Sequence, residues 1–267
     1  MDRSEELAPQ GTGVNSSAPI PDDFAGTYTF YHDGWRCWLR LKRPDADERL
    51  LRGRLFDHKL DGRQHDVEAR VSLDPPHQVT IRVLDYNWMP EGQVFDGFLF
   101  RRAKNAMAGT TVWAGDQRPY GFFARKTTSL TLSPFGEPAR RRPDEEAEHV
   151  PCEECGGLYS VWEDGDHGVM RLVPGPGSSL RGSYRPDASS GSTLAVEGRA
   201  DVTVPHQLEL VARGGGADRL FHGYMFTRPK NAIAGWMELG GSRKGFYMTK
   251  LTPLRWEPTV GTSSASS

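Results

Sequence analysis

The sequence predicts an all-β protein made of two tandem homologous antiparallel up-and-down β-barrels of about eight strands each. Three observations support this prediction: a long internal repeat, short segments in which apolar and polar residues alternate, and no convincing helical pattern between those segments. The clearest part of the repeat is residues 95–109 (FDGFLFRRAKNAMAG), which return as residues 221–235 (FHGYMFTRPKNAIAG). A repeated unit of about 100 residues is too long for a solenoid and has the size of a domain.

The repeat divides the chain into two domains and a linker. We predict the following organisation: a disordered tail over residues 1–21, a first barrel over residues 22–130, a polar linker over residues 131–150, a second barrel over residues 151–255 and a flexible tail over residues 256–267. Matched blocks outside the main motif shift slightly in spacing between the halves, as expected when loops change length between fixed strands.

Short strands follow one another through the first repeat. They are predicted to begin near Thr27, Arg36, Leu51, Val67, Gln78, Val94, Met107 and Tyr120. Alternation is visible in residues 35–42 (WRCWLRLK) and 78–83 (QVTIRV). Residues 33–34 and 164–165 are Asp-Gly pairs, which suit tight hairpin turns. Closure of such a meander into a barrel would remove its exposed edges.

The opening residues 26–28 (GTY), the turn, the alternating strand and the Leu-x-Gly strand at residues 51–53 resemble the avidin and lipocalin-type meander barrels. The resemblance covers both repeats in strand order and glycine placement. It implies a small barrel that can hold one ligand. A biotin site is not implied, because residues 29–30 (TF) and 160–161 (SV) stand where the avidin pattern has its strand-one Asn and Tyr set.

Composition restricts the partners. The net charge is −2, from 33 basic and 35 acidic residues, so we expect no nucleic-acid or anionic-membrane partner. The sequence begins MDRSEE without an apolar segment, and no apolar run approaches the roughly 18 residues of a membrane span. These features and only three cysteines predict a cytoplasmic protein. No P-loop, dinucleotide fingerprint, HExxH or GxSxG motif occurs, so no cofactor is expected.

The Arg-x-Lys-Asn segment of each repeat is one candidate site. Its members are Arg102, Lys104 and Asn105 in the first copy and Arg228, Lys230 and Asn231 in the second. Two cations and an amide at a turn can hold an anionic group. The structural alternative is favoured, since Asn accepts left-handed φ and Lys stays solvated in a turn.

Cysteine and histidine provide two further candidates. Cys152 and Cys155 form a CxxC pair, and His149 is a third nearby ligand type. Because a structural zinc site needs four ligands, we favour no metal site here. His77 and His206 each lie in a Pro-His-Gln segment, and a hydrogen bond that caps a turn is the favoured role.

Aromatic residues present in only one repeat are the best candidates for ligand binding, because features shared by both halves are explained by the fold. The predicted ligand-binding residues are Trp35, Trp38, Tyr86, Trp88, Trp113, Arg102, Asn105 and Trp236. The loop over residues 85–92 (DYNWMPEG) carries two large rings that must pack on something.

Three hypotheses of function follow. The first is a non-catalytic protein that binds a small apolar or aromatic molecule in a cavity of the first barrel. The second is a cofactor-free barrel enzyme, such as a cyclase, isomerase or hydratase, marked by an interior His or carboxylate. The third is a structural or assembly protein whose aromatic loop contacts the other repeat or a second copy of the chain.

Overall fold

The computed structural model describes residues 19–44, 49–57, 64–84, 92–112, 118–127, 150–187, 192–200, 204, 206–214 and 216–252. The two tails and the linker predicted from the sequence lie largely or wholly outside the described residues. No helix among the described residues is long and apolar enough to cross a membrane.

Eight strands form the first barrel. They are β1 Gly26–His32, β2 Trp35–Lys42, β3 Leu50–Asp57, β4 Gln64–Val71, β5 Gln78–Val83, β6 Val94–Leu99, β7 Ala106–Val112 and β8 Pro119–Lys126. Each strand pairs antiparallel with the next, and β8 pairs with β1 to close the sheet. Phe30 of β1, for example, lies opposite Cys37 of β2 and Ala124 of β8. The eight predicted strand starts fall within three residues of the observed ones.

The second barrel repeats this topology. Its strands are β9 Gly157–Glu163, β10 Asp166–Pro174, β11 Ser179–Pro186, β12 Leu194–Ala200, β13 Gln207–Arg213, β14 Arg219–Met225, β15 Ala232–Leu239 and β16 Ser242–Thr252. Closure is between β16 and β9, where Met248 lies opposite Val161. The prediction of an all-β chain with two closed eight-stranded antiparallel barrels in tandem is confirmed.

Strand alternation sorts side chains between the barrel interior and its outer face. On β2, Cys37, Leu39 and Leu41 belong to the interior cluster of the first barrel. Arg40 lies between them in sequence and is exposed, as the period of two requires. The predicted Asp-Gly turns also occur, with positive φ at Asp33 (48°) that fits a tight hairpin.

Large side chains fill both interiors. In the first barrel the rings of Phe30, Phe95 and Phe122 pack with centroid separations of 4.9 to 5.5 Å. In the second, Phe221 contacts Phe246 and Tyr184 at 5.3 and 5.8 Å. None of these rings is more than 2% exposed. These rings fill part of each interior at the close spacing usual for a protein core.

A short helix seals one end of each barrel. Helix α1, Pro21–Phe24, buries Phe24 in the first interior, and a 3-10 helix, Cys152–Cys155, buries Cys155 in the second. The first tyrosine of each repeat fixes its helix: Tyr28 Oη donates to Phe24 O at 2.8 Å, and Tyr159 Oη donates to Cys155 O at 2.9 Å. The repeated Gly-x-Tyr opening therefore serves to seal the barrel.

Two matched lysines complete the seal. Lys126 Nζ donates to Asp23 O, and Lys250 Nζ donates to Glu154 O, both at 2.5 Å. Burial lowers the pKa of both amines below the usual range for lysine. Each lysine thus neutralises the carbonyl end of a one-turn helix, which explains its presence in both repeats.

The two barrels pack against each other through a third apolar cluster. Its members are Tyr31, Phe100, Ala106, Ala108 and Phe123 of the first barrel and Phe226, Ala232, Ala234 and Tyr247 of the second. The Phe123 and Tyr247 rings stack at 3.9 Å and 5°. Gly121 allows this approach, because a Cβ there would lie 2.7 Å from Ala234 O. At the matching position, Gly245, a Cβ would lie 2.9 Å from Ala108 O.

Candidate functional site

The duplicated Asp-Gly turns dock each barrel onto the other. Asp33 accepts hydrogen bonds from Thr227 N at 2.6 Å and from Thr227 Oγ1 at 2.7 Å. At the matching position, Asp164 accepts from Arg101 N at 2.8 Å and from Arg101 Nε at 2.6 Å. Because the two contacts are equivalent, the barrels are related by an approximate twofold axis.

The duplicated histidines obey the same symmetry. His77 Nε2 donates to Arg243 O at 2.8 Å, and His206 Nε2 donates to Pro119 O at 2.9 Å. Both side chains are buried. The structural role predicted for these histidines holds, but the cap of a local turn was wrong: each one binds a main-chain carbonyl of the opposite barrel.

In the Lys-Asn turns we expected the asparagine to adopt the left-handed backbone conformation, and the structure shows otherwise. Positive φ occurs at Lys104 (50°) and Lys230 (49°), so the lysine rather than the asparagine adopts the left-handed conformation. Lys104 is not simply solvated, since its Nζ lies 2.8 Å from Asp23 Oδ2. The buried Oδ1 atoms of Asn105 and Asn231 both lack a hydrogen-bond partner. Asn105, a predicted ligand residue, therefore has the same surroundings in this respect as its counterpart in the second repeat.

One end of the barrel interface opens into a pocket of about 460 Å³. Its lining residues are Pro19, Pro75, Pro76, His77, Arg101, Arg102, Asp164, Asp166, Ser242 and Lys244. The first barrel contributes the prolines, the histidine and both arginines, and the second contributes both carboxylates and the lysine. A ligand in this pocket would touch both barrels.

Cations outnumber carboxylates in the pocket by three to two. Arg101 Nη2 lies 2.6 Å from Asp164 Oδ2, and Arg102 Nη1 lies 2.5 Å from Asp166 Oδ1. Lys244 Nζ lies 3.7 Å from Asp164, a carboxylate that Arg101 already binds. Its side chain is only 19% exposed, so this extra positive charge is poorly compensated by solvent.

Burial also determines protonation in the pocket. It lowers the pKa of His77 below its usual range, and the charges of Arg101 and Lys244 act in the same direction. His77 is therefore neutral at pH 7, with its Nε2–H committed to a carbonyl and Nδ1 left as a hydrogen-bond acceptor. Burial raises the pKa of Asp166, and the nearby Arg102 offsets part of that rise.

At the symmetry-related end of the interface, the described residues include aromatic rings at the positions of two charged residues of the pocket. Trp35 stands where the second barrel has Asp166, and the Arg228 guanidinium carbon lies 4.3 Å from the centre of its ring. Tyr120 replaces Lys244 and stacks on His206 at 4.7 Å and 17°. Among the described residues the two ends thus differ in side chains at matched positions, with Asp166 and Lys244 at one end and Trp35 and Tyr120 at the other.

The remaining predicted ligand residues do not converge. Arg102 lines the pocket, and Trp35 lies at the opposite end of the interface. Trp38 lies on the outer face of β2, with the guanidinium carbon of Arg36 5.4 Å from its ring centre. Trp236 stacks on His222 at 4.8 Å on the outer face of the second barrel. The predicted residues Tyr86, Trp88, Trp113 and His149 lie outside the described residues.

Polar groups do occur inside the barrels, at matched positions. In the first barrel His32 is fully buried, and its Nε2 lies 3.3 Å from Cys37 Sγ. In the second, Glu163 pairs with Arg219 at 3.3 Å, and burial raises the pKa of the carboxyl. These groups are of the type expected for a barrel enzyme, and in the first barrel His32 lies 5.7 Å from the ring of Phe95.

Cys152 and Cys155 belong to the apolar core of the second barrel. Both are free thiols and buried, and Cys152 Sγ points to Ser179 O at 3.7 Å. Among the described residues no group of three or more His, Cys, Asp or Glu side chains is arranged to hold a metal ion. The CxxC spacing is accounted for by the helix that seals the barrel.

Sequence reasoning missed Arg101, Asp164, Asp166 and Lys244. The signal was present in the alignment of the two halves, where Trp35 matches Asp166 and Tyr120 matches Lys244. These differences give aromatic residues to the first repeat, and they also give charged residues to the second. The charged residues are the ones that line the pocket.

Neither the protein families nor the curated proteins compared with this chain gave a match. Two solved structures show low similarity. One is the Myxococcus xanthus hemagglutinin in complex with a3,a6-mannopentaose, at 13% identity and a TM-score of 0.20, covering 84% of this chain and 99% of that one. The other is a putative outer membrane protein from Bacteroides fragilis, at 8% identity and a TM-score of 0.22, covering 84% and 95%. They assign no family to the chain, and neither an avidin nor a lipocalin is among them.

Proposed function

We propose that this protein binds a small organic anion, with a carboxylate or phosphate group, in the pocket between its two barrels. The observation that carries the proposal is the surplus cation, Lys244, at a position where the other repeat has an aromatic ring. The Lys244 ammonium is largely buried, and the carboxylates around it, Asp164, Asp166 and Glu163, are each already paired with an arginine, so it attracts an anionic ligand group. The pocket volume, about 460 Å³, lies in the range of roughly 300–1,000 Å³ typical of small-molecule sites.

The lining supports a ligand with a compact organic body as well as an anionic group. Pro19, Pro75 and Pro76 provide apolar surface on one wall. Neutral His77 offers an acceptor for a hydroxyl or amine, and Asp166 offers a second. This proposal places the ligand between the barrels instead of inside the first one, where the rings of Phe30, Phe95 and Phe122 pack closely. It keeps the class of function, ligand binding by a tandem barrel.

A reducing compartment such as the cytoplasm fits the proposal. Cys37, Cys152 and Cys155 are all free and buried. Free cysteines are typical of proteins kept under reducing conditions.

Phenyl phosphate and benzoate are suitable probes, since each joins an anionic group to a ring. Calorimetry in low salt should give saturable binding. Lys244→Met should weaken it by about 10- to 100-fold, the equivalent of one charge-assisted hydrogen bond at about 1.5–3 kcal/mol. The control is Lys42→Met on the exposed end of β2, which should leave the affinity within about twofold. Equal affinities for wild type and Lys244→Met would remove the proposed site.

A further inference from the structure

Three polar side chains on the outer face of the second barrel form a connected chain of hydrogen bonds. Ser160 of β9 lies with its Oγ 3.0 Å from Nε2 of His167, which is on β10. Nδ1 of the same imidazole lies 2.6 Å from Oδ2 of Asp187, just after β11. Three adjacent strands thus supply a hydroxyl, an imidazole and a carboxylate in line.

The chemistry of the three groups sets the direction of the hydrogen bonds. An ionised carboxylate only accepts, so Nδ1 of His167 carries the proton that is donated to Asp187. In the neutral imidazole Nε2 is then an acceptor, and the Ser160 hydroxyl donates to it. This is the resting arrangement of an activated serine nucleophile, in which the base is aligned by a carboxylate on its far side.

The surrounding strands keep the arrangement in place. The ring of Trp162 packs beside the imidazole at 4.6 Å between centroids. Thr249 of β16 lies directly opposite Ser160 in the ladder, so its hydroxyl is on the same face and offers a donor for negative charge that develops beside Ser160. Ser160 is only 7% exposed, whereas His167 and Asp187 are 32% and 57% exposed, so substrate and water would approach the hydroxyl from the side of the imidazole.

The arrangement is not required by the fold. The first barrel has Thr29 at the position of Ser160 and Arg36 at the position of His167. A guanidinium cannot accept a proton from a hydroxyl, so the first barrel lacks the base. A barrel of the same topology therefore closes without this chain of hydrogen bonds, and its presence in the second barrel calls for another explanation.

We propose that Ser160, His167 and Asp187 form a hydrolytic site for small carboxylic esters, separate from the pocket between the barrels. Ser160 Oγ attacks the ester carbonyl carbon while its proton passes to His167 Nε2. The tetrahedral intermediate expels the alkoxide, which takes that proton and leaves as the alcohol. Water then attacks the acyl-serine and gives a proton to Nε2. Ser160 Oγ departs and recovers it, so that ester and water yield acid and alcohol.

The roles differ within the set. Ser160 and His167 are the catalytic residues, since they bond to or exchange protons with the substrate. Asp187 is a positioning residue that holds the Nδ1–H tautomer and stabilises the imidazolium formed during attack. The site lies on the outer face of the closed barrel with Ser160 largely covered, so the expected substrates have a short acyl chain and a good leaving group.

A fluorophosphonate probe tests the nucleophile directly on the full chain. We expect one phosphonyl group per molecule, mapped to Ser160 by peptide mass spectrometry, with loss of fluoride. Ser160→Ala should abolish the labelling, and His167→Gln should slow it at least a hundredfold. Ser179→Ala, at a serine whose hydroxyl binds Pro176 O, is the control and should label at the wild-type rate.

Hydrolysis of p-nitrophenyl acetate tests turnover, with Ser160→Ala as the background. Asp187→Asn should lower kcat by about 10²–10⁴ with KM little changed, and Asp187→Glu should restore part of it. Absence of label on Ser160, or equal hydrolysis by wild type and folded Ser160→Ala, would overturn the proposal.

Discussion

Asp33→Asn tests the hydrogen bonds that dock the barrels. The side chain is buried and accepts from Thr227 N at 2.6 Å and Thr227 Oγ1 at 2.7 Å. Its Oδ2 also lies 3.6 Å from Nε of Arg228, whose side chain is 10% exposed. Asparagine has the same shape and tolerates the positive φ at this turn, so the hairpin itself should survive.

The expected cost is about 3 kcal/mol. Hydrogen bonds to a charged group are worth roughly 1.5–3 kcal/mol, and neutral ones roughly 0.5–1.5 kcal/mol. In the variant, Oδ1 of the asparagine still accepts from Thr227 N, and the Thr227 hydroxyl turns to accept from Nδ2. Two bonds that change from charged to neutral therefore lose about 2 kcal/mol. The remainder is the cost, about 1 kcal/mol, of removing the carboxylate beside the nearly buried guanidinium of Arg228.

Urea unfolding at pH 7, followed by tryptophan fluorescence and circular dichroism, measures the loss. Asp218→Asn is the matched control: its carboxylate is half exposed, 3.6 Å from Arg213, and should change the free energy of unfolding by less than about 0.5 kcal/mol. If Asp33→Asn costs less than about 1 kcal/mol, the docking contact does not contribute as the structure indicates.

Three further predictions concern the interface and the interior. Gly121→Val should destabilise the protein by at least about 1–3 kcal/mol, because its Cβ would lie 2.7 Å from the main-chain oxygen of Ala234. In the same urea assay the control Ala195→Val, at an exposed strand position, should leave the free energy of unfolding nearly unchanged. The pKa of His77 is lowered by burial, so the unfolded chain binds more protons than the folded one just below pH 6.5, and stability should fall on acidification through that range. In urea unfolding from pH 5 to 7.5, the free energy of unfolding should depend less steeply on pH in His77→Gln than in the wild type. The pKa of Glu163 is raised by burial, so the opposite holds: stability present below pH 4.5 should decline as pH rises through the higher folded pKa, and an unchanged slope in Glu163→Gln would contradict this.

The fold was readable from the sequence because its signals are local. The alternation in β2 and the Asp-Gly pair before it identified a hairpin without knowledge of any distant residue. The docking role of that same turn was not readable, because Asp33 binds Thr227, 194 positions along the chain. The duplication was also ambiguous. A residue that occurs in both halves either helps each barrel to close or contacts the other barrel, and the sequence alone does not distinguish these two roles.

The candidate sites were partly within reach. Ser160 and His167 lie on either side of the turn at residues 164–165, and the hairpin register places them diagonally on one face. Comparison of matched histidines alone overlooked this pair, because His167 matches an arginine. Asp187 lies just after β11, where its backbone N–H binds His167 O at 2.9 Å, and this contact between strands is not visible in any local sequence pattern.

The approximate twofold axis has a further consequence. In a dimer of identical subunits every substitution at such an interface appears at both ends, so an open charged end would require a second one. This constraint does not apply to two barrels on a single chain, because the two ends of their interface are formed by different residues of the sequence. Tyr120 and Lys244 occupy matched positions of the two repeats and show the result. Tyr120 stacks on His206 and helps to hold the barrels together, whereas Lys244 lines a pocket that can bind a ligand.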